Sequence, residues 1–77
     1  KMVMNPKLVH VGTTAHDHVT VSAWCAENFG EFNEGWYRMG TDPMALLMAE
    51  LDGRPRPRDI YYFATEEDLA LFLLRWA

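Results

Sequence analysis

The chain of 77 residues has a single cysteine, Cys25, and therefore cannot form an internal disulfide. This excludes a small secreted protein that depends on a disulfide framework, and a reducing cytoplasm is the simpler expectation. No run of about 18 apolar residues is present, so no segment is predicted to span a membrane. The first residues also lack an apolar stretch long enough for a signal peptide.

Basic residues are scarce. Seven Lys and Arg against eleven Asp and Glu give a net charge of −4. Residues 1–40 carry three basic and four acidic side chains, and residues 41–77 carry four and seven, so the sums are −1 and −3. Neither half has the excess positive charge that is typical of a nucleic-acid-binding domain. An acidic balance favours a basic partner surface, or simply solubility.

Aromatic residues, in contrast, are abundant: three Trp, three Tyr and four Phe accompany five Met. A domain of this length buries only about 60% of the surface of its unfolded chain, so large side chains are needed to close a thin core. The hydrophobic fraction of 49% argues against intrinsic disorder. We expect residues 1–77 to form a single domain.

Three predicted strands alternate with three predicted helices. The strands are placed at 7–12, 35–40 and 59–64, and the helices at about 15–29, 43–52 and 66–76. The third strand is apolar on both faces, which predicts a central position. Strands two and three are expected to pair antiparallel, with the second helix inserted in their connection.

Helix starts are marked by capping residues. Thr14 with Asp17, and Thr65 with Asp68, have capping-box spacing, and Asp42-Pro43 combines an N-cap with proline at the first helical position. Gly30 stands where a left-handed residue would end the first helix. The β-branched residues in 18–21 allow a rival interpretation, a strand there with the helix beginning at Ser22.

The resulting order, β-α-β-α-β-α, predicts an α+β fold: a small two-layer sandwich in which a three-stranded, antiparallel-containing sheet carries helices one and three on one face. This arrangement is a truncated ferredoxin-like fold.

Three fragments together resemble small uncharacterised proteins encoded by tailed bacteriophages. They are Trp-Cys-Ala-Glu-Asn-Phe-Gly at 24–30, Trp36, and the segment 62–76, which begins Tyr-Phe and ends Leu-Arg-Trp. The resemblance covers about half of the chain. Leu69 departs from the usual alanine, and segment 41–53 looks like an insertion. The resemblance implies a viral origin and a host-cell setting, but no catalytic role.

Candidate metal ligands are the three histidines and Cys25. His16 and His18 would share one side of a strand, whereas on a helix residues two apart do not face each other and His18 pairs instead with Cys25. Structural zinc sites use four closely spaced ligands, usually with cysteine pairs, so we predict half-buried or capping histidines, including His10, and no metal or cofactor.

Cys25 lies within a predicted helix, away from any helix N-terminus that would stabilise a thiolate, and is expected to be structural. The acids Glu66, Glu67 and Asp68 are accounted for by the first turn of a helix. The chain is therefore predicted not to be an enzyme and to have no catalytic residues.

Two binding surfaces remain. The helix at 43–51 is apolar over more than half of its circumference, so one side must pack on the domain while the rest can contact a partner. The leading hypothesis is a non-enzymatic protein-binding domain that engages a host protein or itself, possible as a homodimer. The predicted contact residues are Trp36, Met44, Leu47, Met48, Arg54, Arg56 and Arg58.

The alternative is a nucleic-acid-binding sheet module. It would use the arginines of the Arg-Pro segment 54–58 for phosphate contacts, together with Trp36, Tyr61 and Tyr62 for base stacking.

Overall fold

The computed structural model describes residues 3–77. Its elements alternate as predicted: β1 (His10–Thr14), α1 (His18–Phe29), β2 (Trp36–Met39), α2 (Pro43–Leu51), β3 (Asp59–Phe63) and α3 (Glu66–Trp76).

The three strands form one sheet in the order β1-β3-β2, and β3 pairs antiparallel with both neighbours. The prediction of a central third strand is confirmed. β1 and β2 therefore run in the same direction on either side of β3 and are joined through α1, which is the split arrangement of the ferredoxin-like fold. The α2 helix is inserted between β2 and β3, and the α+β class is confirmed.

The core lies between one face of the sheet and the helices α1 and α3. The side chains of Tyr61 and Phe63 on β3 are fully buried, and their rings lie 5.1 Å and 4.9 Å from that of Phe72 on α3. Tilted aromatic contacts at this distance add to the free energy gained by burial. The remaining members of the core are Val21, Cys25, Trp36 and Trp76.

Gly12 allows α3 to approach β1 closely. A Cβ at this position would lie 2.8 Å from Leu69 Cδ1 and 3.1 Å from Phe72 Cδ2, so any larger residue would push the helix away from the strand. The α3 C-terminus is tied to the same strand, because Thr14 Oγ1 donates a hydrogen bond to the Trp76 carbonyl at 2.8 Å.

The predicted first strand at 7–12 was wrong in its bounds. Leu8 is buried, but its amide donates to the Asn5 carbonyl and the Val9 amide donates to that of Lys7, so this segment turns before the strand begins. The predicted start of the first helix was also wrong. Asp17 caps α1 by accepting from the Thr20 amide, whereas Thr14 is the last residue of β1.

The other predicted helix boundaries were confirmed in part and wrong in part. Residues 18–21 are helical, so the rival strand is wrong. Asp42 and Thr65 cap α2 and α3 as predicted. Gly30 has a φ of 91°, but its ψ of −152° is not left-handed helical. On α3, Leu73 is exposed.

The molecule is less compact than its length implies. The Cα radius of gyration is 13.0 Å, whereas a 77-residue domain is expected to have about 11.5 Å. The accessible surface is 5274 Å², against about 4,800 Å² for a folded protein of this mass. The α2 helix contributes to this difference, because it makes at most isolated contacts with the other helices and strands.

We predict that Phe72→Ala lowers the free energy of unfolding by about 3–5 kcal/mol, because it leaves a cavity between α3 and the central strand. Leu74, on the same helix, is 87% exposed, and Leu74→Ala should change it by no more than about 0.5 kcal/mol. Urea denaturation followed by tryptophan fluorescence measures both. Equal losses for the two variants would contradict this description of the core.

Candidate functional site

The α2 helix presents an apolar stripe to solvent. Its members, at positions i, i+3, i+4 and i+7, share one face of the helix. They are Met44, Leu47, Met48 and Leu51, with exposed fractions of 61%, 49%, 45% and 71%. The structure therefore places the predicted contact residues Met44, Leu47 and Met48 together on an exposed surface.

The opposite side of α2 packs on the segment that follows it. Ala49 is buried there, and its carbonyl accepts from the Arg54 amide at 2.9 Å. The two segments enclose a cleft of about 400 Å³, whose lining is Leu46, Ala49, Glu50, Arg54 and Arg56. One face of the helix is thus used within the chain, and the apolar stripe on the other face has no cover.

A polar cluster at the end of the sheet holds Thr41, the residue before the N-cap of α2. The Asp59 carboxylate, nearly buried, lies 3.6 Å from Arg38 Nε, and it accepts a hydrogen bond from Thr41 Oγ1 at 3.1 Å. With little water around the pair, the attraction between the two charges is less screened than on the surface, and the cost of their desolvation opposes it. Because Thr41 directly precedes the Asp42 cap, this cluster fixes the point at which the helix leaves the sheet.

A second exposed surface is the face of the sheet opposite α1 and α3, called here the open face. The strand register places its side chains in two rows across the three strands. One row is Val11, Tyr62 and Tyr37, and the other is Thr13, Ile60 and Met39. None of these side chains is charged, although an exposed sheet face is usually polar.

Phe32 extends the open face. Its ring stacks on that of Tyr37 with centroids 4.9 Å apart, and 41% of its surface is exposed. Of the aromatic residues predicted for base stacking, Tyr62 lies on this face, whereas Phe32 and Tyr37 were not among the predicted contacts. The signal was present, since the alternate positions of both β2 and β3 are apolar, but the pattern does not say which side the helices cover.

The three arginines of the Arg-Pro segment do not form one cationic site. Arg54 Nη2 is 2.8 Å from Asp52 Oδ2. Arg58 donates from Nε and Nη2 to Thr13 Oγ1 and its carbonyl oxygen, at 2.9 Å and 3.0 Å, which places it at the border of the open face. Arg56 lines the cleft beside α2.

Two aromatic residues assigned to binding are in fact buried. Trp36 is 5% exposed, and its indole Nε1 donates to the Gly30 carbonyl at 2.9 Å. Tyr61 is completely buried in the core. Both face the helices because they share the inner side of the sheet with Phe63, so the expectation that they contact a partner or a nucleic acid was wrong.

The candidate metal ligands lie apart. The His16 ring packs edge-on against Trp76 with centroids 5.3 Å apart, His18 lies in the first turn of α1, and Cys25 is in the core. Among residues 3–77, no three His, Cys, Asp or Glu side chains are placed to hold a metal ion together.

Burial determines the chemistry of the two titratable core groups. It raises the pKa of the Cys25 thiol to about 12, so the sulfur is protonated at neutral pH and is a poor nucleophile. It also raises the pKa of Tyr61. At the surface, hydrogen bonds from Thr20 lower the pKa of Asp17, as its capping role requires.

The three acids at the start of α3 lie in the first turn of the helix, where they were predicted. Thr65 Oγ1 accepts from the Asp68 amide at 3.1 Å, and all three acids lie in the first turn. There they face the positive end of the helix dipole.

A scan against protein-family models gave no match for this chain, and neither curated proteins nor solved structures gave one. The resemblance to phage proteins therefore stays a prediction. Within residues 3–77, no helix combines the length and hydropathy needed to cross a membrane.

We predict that Cys25 in the native protein does not react with a chromogenic disulfide reagent at about pH 8, where an exposed thiol reacts readily. Full reaction should appear only in denaturant.

The same burial predicts a pH dependence of stability. Since burial raises the pKa of Cys25 from 9.0 to about 12, the stability that the protonated thiol contributes is complete below pH 9 and is lost as the pH rises toward 12. The wild type should therefore lose stability more steeply over this interval than Cys25→Ala. Rapid labelling of the folded protein would contradict the burial.

Proposed function

We propose that this chain is a small, non-enzymatic protein-binding domain whose principal contact surface is the apolar stripe of α2. In the phage setting that the resemblance implies, such binding would modulate a host protein, and a second copy of the chain is the other possible partner. The single observation that carries the proposal is the exposure of four large apolar side chains on one helix face.

Exposing an apolar helix face to water is unfavourable, and a partner that covers the face removes this free-energy cost. Soluble monomers seldom expose a contiguous patch of large apolar side chains, and such patches are typical of interaction sites. Methionine is flexible and polarisable, so Met44 and Met48 can adapt to the shape of a partner. Hydrophobic side chains pointing away from the domain are therefore better explained by binding than by folding.

The magnitude of the interaction shows that α2 cannot act alone. The exposed fractions of the four side chains add up to the surface of a little over two whole side chains. Covering them therefore yields a binding free energy of roughly 3–7 kcal/mol. Association itself costs about 4–15 kcal/mol. Additional contacts must come from the surroundings of the helix, and we assign a polar rim to Arg54, Arg56 and Arg58, which are exposed in the segment that follows α2.

A second candidate function is nucleic-acid binding at the sheet, and the open face is the observation that favours it. Tyr37 and Tyr62 lie side by side with ring centroids 6.4 Å apart, next to Phe32, and half-exposed aromatic rings on a sheet can stack on bases. The charge is unfavourable, because Arg58, which borders this face, already binds Thr13. The candidate therefore ranks second.

We predict that the immobilised protein captures a specific protein from a bacterial host lysate, and that Leu47→Glu abolishes this capture by placing a charge in the apolar contact. Leu74→Glu is the matched control, because it makes the same change at an exposed leucine of another helix. Mass spectrometry identifies the captured protein. A captured set that is identical for all three proteins would exclude α2 as the contact surface.

The nucleic-acid candidate predicts saturable binding of a fluorescent single-stranded oligonucleotide at low salt. With three phosphate contacts, the logarithm of the affinity should fall against the logarithm of the salt concentration with a slope of about −2. Replacing Arg54, Arg56 and Arg58 by Ala should remove this dependence, whereas Lys7→Ala, a control outside the segment, should keep it. Absence of binding at low salt would eliminate this candidate.

A further inference from the structure

We infer that two copies of this chain associate by packing the α2 stripe of each copy on the open face of the other. The inference rests on the proposed function and names the partner of α2 as a second copy of the chain. The contact is reciprocal, so a twofold axis relates its two halves.

The two surfaces match in chemistry and size. Both are largely apolar and lack a cover: the stripe has two Met and two Leu, and the open face has Val11 and two tyrosines in one row and Ile60, Met39 and Thr13 in the other. The stripe from Met44 to Leu51 spans about 10 Å at the helical rise. Three strands at their usual spacing also span about 10 Å. A helix of this length thus covers the sheet and completes a three-layer sandwich.

Packing the stripe on the open face buries no charge. Glu50, the only charged residue of α2, lines the cleft on the other side of the helix together with Arg54 and Arg56. The two rows of the open face have no charged side chain, and Arg58 lies at their border, bonded to Thr13. The contact therefore avoids the desolvation cost of an unpaired charge.

Contacts before α2 and near its C-terminal end keep the helix from covering the open face of its own sheet. Thr41 is bonded to Asp59 at the end of the sheet, and Ala49 is packed against the segment that follows the helix. Folding α2 back over the open face of its own chain would break both contacts. A second copy can cover the stripe and leave them intact.

The size of the contact predicts a weak dimer. Each copy contributes four residues of the stripe and seven of the open face, counting Phe32. This is about half of the 20–30 residues that each partner supplies in a standard interface. We therefore expect a dissociation constant in the micromolar range or weaker.

Analytical ultracentrifugation of the full chain, from micromolar to millimolar concentration, tests the inference. The wild type should form a dimer. Leu47→Glu on the stripe and Val11→Glu on the open face should each weaken it by about 100-fold, since every dimer then buries two uncompensated charges. Leu74→Glu and Val19→Glu, the same changes at exposed positions outside both surfaces, should leave the dimer unchanged. A strictly monomeric wild type would overturn the inference.

An equimolar mixture of Leu47→Glu and Val11→Glu identifies which surfaces meet. In the mixed pair, the intact stripe of one variant meets the intact sheet of the other, so association should partly recover above that of either variant alone. If stripe packed on stripe, Val11→Glu would dimerise normally by itself. If sheet packed on sheet, Leu47→Glu would do so. Either of these results would overturn the reciprocal arrangement.

These outcomes are separable from the proposed function. A monomeric wild type that still captures a lysate protein in a Leu47-dependent manner would remove the self-association and retain the protein-binding proposal. Loss of both would remove both.

Discussion

The packing of Phe72 against Tyr61 and Phe63 is the interaction on which the rest of the structure depends. It joins the last helix to the central strand, and both edge strands are positioned by their pairing with that strand. Aromatic rings supply much of this core because a short chain has few positions to bury. The same contact decides which side of the sheet receives helices and therefore which side remains uncovered.

The central strand also determines where the exposed helix is placed. Its inward residues are two aromatic side chains and, at its first position, the buried acid Asp59. That carboxylate needs partners in a poorly solvated site, and it finds them in Arg38 and Thr41. The requirement fixes the connection out of β2, and with it the direction in which α2 leaves the sheet. Core packing and the exposed stripe are thus set by alternate residues of one five-residue strand.

Much of the fold could be predicted because the signals were local. Asp42-Pro43 and Thr65 mark helix starts through hydrogen bonds within a few residues, and β3 was recognisable as central from its apolar content. The start of α1 was missed for a non-local reason. Thr14 has the chemistry of an N-cap, but it is the last residue of β1 and pairs there with Asp59, which is distant in the sequence. Local spacing cannot reveal such a competitor.

The contact surfaces were only partly predictable. The exposed stripe followed from an excess of apolar residues on a short helix, which is a property of the sequence. Strand alternation fixes which side chains share a face, Trp36 with Arg38 and Tyr61 with Phe63. Which face would meet the helices was undetermined, because alternation identifies the buried side only when the other side is polar. Trp36 and Tyr61 were therefore assigned to a surface when they belong to the core.

The distribution of apolar residues has a further consequence. Within residues 3–77, nine hydrophobic residues are buried, whereas thirteen large ones are exposed. The two-layer core therefore cannot account for a hydrophobic fraction of 49%. The excess is not scattered, since a large share of it lies on the α2 stripe and on the open face. A chain that needed these residues only for folding would bring the two surfaces together within itself. Here the polar cluster at Asp59 keeps them apart, and that separation makes both available to another molecule.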